Sequence, residues 1–192
     1  AVDWTQWQPP LQVPPAVPFG EYVAEISAFE GGLSSRKELQ VDRTSQALPA
    51  VLSFPKGPSL LIEAEQQGRD RAIDLMQFVM LRLLTSFPAG KVRFTIIDPV
   101  GVGQNFSAFM HLADYDERLV TNRIWTEAGH INQRLADLTE HMENVIQKYL
   151  RNEFHSIQEY NEHAGEVAEP FQVLVIANFP TGFGEDATRR LI

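Results

Sequence analysis

The residues best placed for chemistry stand in one short stretch, SLLIEAEQQGRDRAIDLM, residues 59–76. An apolar run, 59–64, follows Pro58 and suits a buried strand. From Arg71 onward Ala72, Leu75, Met76, Val79, Met80, Leu83 and Leu84 recur at helical spacing. A strand that feeds a helix through a short loop can hold phosphate on the loop's N–H groups and the helix N-terminus. The working pattern is G-x-x-x-x-G-K-[ST]. Its glycines let backbone wrap the phosphates, its Lys neutralises them and its hydroxyl holds Mg²⁺.

EQQGRD stands in the place of that loop without its chemistry. In one register Ala64 replaces the first Gly, Arg69 the second, Asp70 the Lys and Arg71 the Ser/Thr. A carboxylate then faces the phosphates, a repulsion of about 4 kcal/mol per charge pair at ~4 Å and an effective dielectric of ~20. In the other, Gly68 is the second Gly, Arg69 stands for Lys and Asp70 for the hydroxyl. The first is preferred. Both predict weak or absent nucleotide binding at this loop.

A second set of polar residues follows the strand expected at 92–97 (VRFTII), closed by Asp98–Pro99. Asp98, Gly101, Gly103, Gln104 and Asn105 lie there, where the carboxyl ends of α/β strands hold ligands. Strand, helix, strand at this spacing predicts a βαβ unit and a parallel sheet. The third expected strand, 171–176 (FQVLVI), runs into Ala177, Asn178, Phe179 and Pro180. An ATP-hydrolysing site needs an Asp to position Mg²⁺ and a Glu to activate water there. Asn178 can orient water but cannot take its proton. Glu185 and Asp186 come after the glycines and suit the first turn of a final helix. His111 has no second ligand at metal spacing, and His130 and His141 read as unrelated edge histidines.

These elements sit in a chain of 192 residues, enough for one substantial core plus an appendage. Residues 1–48 form an expected extended arm, with Pro9, Pro10, Pro14, Pro15 and Pro18 and apolar anchors at Trp4, Trp7, Val13, Val17 and Phe19. A proline-motif ligand for a partner domain is a second reading of it. Residues 22–29 fit a strand or a helix, ended by Gly31–Gly32. An edge strand is expected at 50–54 between Pro49 and Pro55. The main domain is expected over 49–192. Its long helix carries a stripe of Ile131, Leu135, Leu138, Met142, Val145, Ile146, Tyr149 and Leu150, with Glu140, Glu143, Lys148 and Arg151 off it. Residues 120–125 fit a short strand, and Ser156 caps a further short helix. The net charge of −9 opposes a bare nucleic-acid binder, and Arg36–Lys37 and Arg189–Arg190 read as solvated surface. No run of ~18 apolar residues predicts a membrane span. The absence of cysteine fits a cytoplasmic location. The ends at Ala1 and Ile192 suggest a piece of a longer protein.

The order of parts resembles FtsK/SpoIIIE-type DNA translocases, over about residues 49–192. The resemblance rests on IIDP after the second strand, the helical stretch LADLTEHMENVIQKYLRNEFHSIQEYNE ending in Tyr160–Asn161–Glu162, and the strand FQVLVIANFP. It implies an α/β, RecA-like P-loop NTPase fold, mostly parallel and flanked by helices, here incomplete. In that family the fold forms hexameric rings that pump duplex DNA with ATP and Mg²⁺. Type VII secretion ATPases share it and include degenerate copies. Asp70 and Arg71 fall on the positions of the phosphate-binding Lys and the Mg²⁺-binding Ser/Thr. Ala177 and Asn178 fall on those of the metal-positioning Asp and the catalytic Glu. The resemblance therefore implies a catalytically inactive module with no bound cofactor, serving other domains of a longer parent chain, in a ring, with DNA reached only through the parent. A protein-interaction module and a weak NTPase using Arg69 and Asp70 are the alternatives.

Overall fold

The computed structural model describes residues 4–29, 32–39, 44–54, 58–149, 154–165 and 168–191. Gly31, Pro55, Leu150, Arg151 and the side chain of Trp4 lie outside the described residues.

Two strands, β1 (Ala16–Glu25) and β2 (Ser45–Ser53), pair antiparallel, with Tyr22 opposite Leu48 and Val17 opposite Leu52. A bulge between Pro18 and Gly20 shifts the register. Every strand of a two-stranded sheet is an edge, so Pro49 within β2 costs no interior ladder bond. The stretch 22–29 resolves into the end of β1 and a 3-10 turn, Ile26–Ala28, with no helix. The strand expected at 50–54 begins earlier, at Ser45, and the expected division between 48 and 49 falls inside β2. The proline-rich arm is thus partly a hairpin strand. Val17 is buried, and Arg82 Nε donates to the Pro18 carbonyl at 3.0 Å, fastening β1 to the next helix.

That helix, α1 (Arg69–Ser86), buries Val79, Met80 and Leu83 of the expected stripe, leaves Ala72, Leu75, Met76 and Leu84 half-buried, and buries Ile73, which the expected stripe did not include. The strand before it does not form. Residues 58–65 have no ladder partner, and Leu61 is 80% exposed. An apolar run becomes a strand only where another edge offers hydrogen bonds, and β3 (Val92–Ile97) has neither edge free. On one side β3 pairs in parallel with β4 (Phe171–Ile176), from Val92 opposite Phe171 to Ile97 opposite Ile176. On the other, residues 119–125 zip along it: Phe94 N–H donates to Leu119 O, Thr121 N–H to Phe94 O, Trp125 N–H to Ile96 O and Asp98 N–H to Trp125 O. The parallel unit is therefore β3–helices–β4. The expected unit from 59–64 to 92–97 is not formed. The molecule is α/β, with one antiparallel and one parallel two-stranded sheet.

β3 is buried on both faces apart from the half-buried Arg93, as suits a mainly apolar strand paired on both edges. One face, with Phe94 and Ile96, packs with Val17, Leu52 and the α1 stripe. Phe54, Phe87 and Phe171 meet edge-on there, with ring centroids 4.9 to 5.9 Å apart, so the hairpin and the parallel pair share one core. The other face, with Ile97, packs with Ile131 and Leu135 of α3 (Ala128–Tyr149) and with Ala187 of α5 (Glu185–Arg189). The second half of the α3 stripe stays exposed at Met142 and Ile146. Between these elements lie α2 (Ser107–Met110) and α4 (Ile157–Ala164), the latter capped as expected by Ser156 Oγ, which accepts from Glu159 N–H at 3.2 Å. Among the described residues no helix is long and apolar enough to cross a membrane.

Candidate functional site

The carboxyl ends of β3 and β4 carry the polar residues expected to matter. Asp98, the first residue past β3, is fully buried. Its Oδ1 accepts from the Gly101 N–H at 2.9 Å and from Asn105 Nδ2 at 3.3 Å. This closes the loop on itself. A Cβ at Gly101 would lie 2.1 Å from Asn105 Nδ2 and 2.4 Å from Asp98 Oδ2, so only glycine fits. Val102 and Gly103 follow with φ of 50° and 81°, and Phe106 plugs the loop into the core. Gln77 Nε2 of α1 donates to the Asn105 carbonyl. Asp98 and Asn105 are thus brought together, while Gln104 faces solvent. Asp98 Oδ2 has no partner among the described residues.

Parallel pairing sets Ala177 next to Asp98, with Ala177 N–H donating to Ile97 O at 2.9 Å. Ala177 is 1% exposed and packed in the main core, so a longer, charged side chain there would be buried without room. Asn178 has φ of 61°, a left-handed conformation that asparagine tolerates better than most residues. Its carbonyl accepts from Thr181 N–H, while its Nδ2 is buried without a partner, as is Asn132 Oδ1 of α3 nearby. Gly182, at φ 81°, brings this turn against Pro99 and Ile131. Both strand ends are therefore tight turns packed against α3.

The expected phosphate loop is not a cradle. Gln66–Gly68 is a 3-10 turn, and Gly68 has φ −93° and ψ −5° with no left-handed neighbour to form an anion nest. Ala64 is exposed and touches that turn only along the chain, its Cβ 3.5 Å from where Gly68 would carry one. Arg69, Asp70 and Arg71 form the first turn of α1. Asp70 meets the positive end of the helix dipole, the place an anion would take. Among the described residues no hydrogen bond or ion pair joins these three side chains to Asp98 or Asn178. The structure brings Asp98, Asn105, Ala177 and Asn178 to one end of the sheet, and among the described residues no hydrogen bond joins Ala64, Gly68, Arg69, Asp70 or Arg71 to them.

Three of the five histidines lie at the surface beside a carboxylate: His111 with Asp114 at 3.2 Å, His130 with Glu127 at 3.4 Å and His141 with Glu169 at 3.6 Å. Among the described residues no group of three or more His, Asp or Glu side chains could hold a metal ion. The Tyr160–Asn161–Glu162 motif is structural here. Tyr160 stacks on Tyr149 at 4.5 Å. The Asn161 carboxamide donates to the Glu169 carbonyl at 2.9 Å and accepts from the Glu169 N–H at 2.8 Å.

Sequence reasoning missed a cavity at the amino ends of the same two strands, lined by Arg93, Arg134, Leu138, His141 and Gln172. The one available signal was a charged residue, Arg93, inside an apolar strand. Comparison with protein-family models, with curated proteins and with solved structures gives no match to this chain.

Proposed function

We propose that the chain is a catalytically inactive FtsK/SpoIIIE-like module, a structural or regulatory part of a larger ATP-driven translocase-like protein. One observation carries this reading. The parallel register of β3 and β4 sets Ala177 and Asn178 beside Asp98; on the FtsK-like reading these two would be the metal-positioning and water-activating residues, and they are a methyl group and a carboxamide. The Asp70 carboxylate in the first turn of α1 points the same way, since it opposes phosphate there. A weak NTPase using Arg69 and Asp70 draws less support, because Gly68 is right-handed and no nest precedes the helix. Duplex DNA, a ring assembly and a cytoplasmic setting belong to the proposed parent. At −9 the chain itself should bind DNA weakly at physiological salt.

A protein-interaction module, as in type VII secretion ATPases, is the second reading. The exposed apolar side chains of Leu61, Tyr22 and Leu48 favour it.

Titration with Mg-ATP while following thermal melting tests the first reading. A site filled at 100 times its Kd stabilises by about 2.7 kcal/mol, which is about 5–10 °C for a chain of this size. The expected shift is at most about a degree. The double change Asp70→Lys with Arg71→Ser should give no ATP turnover, because Ala177 and Asn178 stay inert. Steady turnover would sink the assignment of β4. The translocase part is tested on the parent gene: a complete parent chain without an intact G-x-x-x-x-G-K-[ST] overturns it.

A further inference from the structure

At the amino ends of β3 and β4, on the face that α3 covers, Arg93 and Gln172 stand opposite each other across the parallel pair. Arg134 and His141 come down from α3. With Leu138 they enclose a cavity of about 130 Å³, many times the room one water needs. Beside it, sharing Arg93, His141 and Gln172, lies a wider cleft of about 630 Å³, open to solvent and lined also by Lys91, Arg118 and Glu169.

The charges do not balance. Arg134 makes one side-chain hydrogen bond, to Thr95 Oγ1 at 3.0 Å, and its Nε is buried without a partner. Arg93 Nε is likewise buried and unpartnered, and no ion pair reaches either guanidinium among the described residues. Burial and the neighbouring charge of Arg93 pull Arg134 below the ordinary arginine value, against a smaller opposing effect of Asp137. The other charged groups are engaged. Lys91 Nζ donates to the Gly165 carbonyl at 3.2 Å, Arg118 pairs with Asp116 at 2.9 Å, and Glu169 lies 3.6 Å from His141. Two guanidinium groups thus share one small polar cavity, and among the described residues no carboxylate lies within ion-pair distance of either; Asp116 and Asp137 act on Arg93 and Arg134 only from farther off.

We propose that this cavity is an anion-binding site that takes a phosphate-type oxyanion between Arg93 and Arg134. Planar guanidinium forks match the oxygens of a phosphate group, and an unpaired buried donor is satisfied by accepting oxygens. Gln172 and His141 offer further donors at the wall. The wider cleft leaves room for the organic part of a phosphomonoester, so the source is either free phosphate or a phosphorylated small molecule. The site lies at the end of the strands opposite the Asp98 loop and stands independently of the proposed function.

The test is calorimetric titration and thermal melting of the whole chain in inorganic phosphate, in glycerol phosphate and in chloride at matched ionic strength. Phosphate stabilises many proteins by exclusion from their surfaces, so saturation and dependence on Arg93 are the deciding features. Saturable binding is expected, about tenfold or more weaker in Arg93→Gln. In phosphate-free buffer Arg93→Gln should melt no lower than the wild type, because it relieves repulsion. Tighter binding of the monoester than of phosphate identifies a phosphorylated small molecule, and the reverse order identifies the free ion. An equal, non-saturating rise in wild type and variant, or no rise in either, overturns the proposal. Because a variant can fail to fold, the Nε–Hε resonances of the wild-type arginines give a second reading. Two should shift with phosphate, and unmoved resonances also overturn it.

Discussion

The two ends of the β3–β4 pair differ in how they treat charge. At the carboxyl end the one buried carboxylate, Asp98, is turned inward to hold its own loop, and Ala177 fills the core with a methyl group. At the amino end Arg93 and Arg134 are half-buried, each with an Nε that has no partner among the described residues. The end that α/β sheets commonly use for ligands is closed by its own loop, with Asp98 Oδ2 and Asn178 Nδ2 unpartnered inside it among the described residues, while the other opens to a cavity with two guanidinium groups. A polar residue at a strand end is thus no sign of chemistry until its partners are counted.

Four substitutions sharpen or break this contrast. Phe87→Ala removes the centre of the aromatic trio on the amino-end side of the core and should cost about 3–5 kcal/mol. Urea denaturation should still show a single transition. A hairpin that melts separately would refute the shared core. Gly101→Ala forces a methyl group into the Asp98–Asn105 contact and should cost about 1–3 kcal/mol by the same measurement. A neutral result would mean that the carboxyl-end loop is not closed as described. Asn178→Glu should cost about 1–2 kcal/mol, because a glutamate pays for the left-handed backbone and gains no substrate water. An unchanged melting temperature with new ATP hydrolysis would make the carboxyl end a working site. The smallest effect is expected from Asp116→Asn. Hydrogen bonds from Arg118 hold the Asp116 carboxyl below its ordinary range, so the pair's contribution is present above the usual carboxylate pKa. It fades as pH falls through the lowered value. The melting curves of variant and wild type should therefore converge in acid, and divergence there would reverse the sign.

What could be read from the residues follows the same physics. β3 was legible because an apolar run closed by Asp98–Pro99 admits little else, and Ser156 because a cap is a local hydrogen bond. The run at 59–64 misled. Apolar character states a need for burial but not which edge is free, and both edges of β3 were already taken. The first half of β2 was missed because QALP has neither alternation nor β-branched residues. At the carboxyl end, Asp98 and Asn105 are near in sequence and could be named together. The cavity could not, since Arg93, Arg134 and Gln172 come from three distant segments that only sheet pairing and helix packing unite.

The carboxamide of Asn161 grips the backbone of Glu169 by both its donor and its acceptor. It does what one rung of a ladder would do, but from a side chain. The last helix before β4 and the strand's approach are joined there, the helix end is also held where Lys91 Nζ reaches the Gly165 carbonyl, and His141 faces the carboxylate of Glu169. A substitution as mild as aspartate for Asn161 would keep the shape and lose the donor. The junction between α4 and β4 would then lose one of its two Asn161 hydrogen bonds, the one to the Glu169 carbonyl.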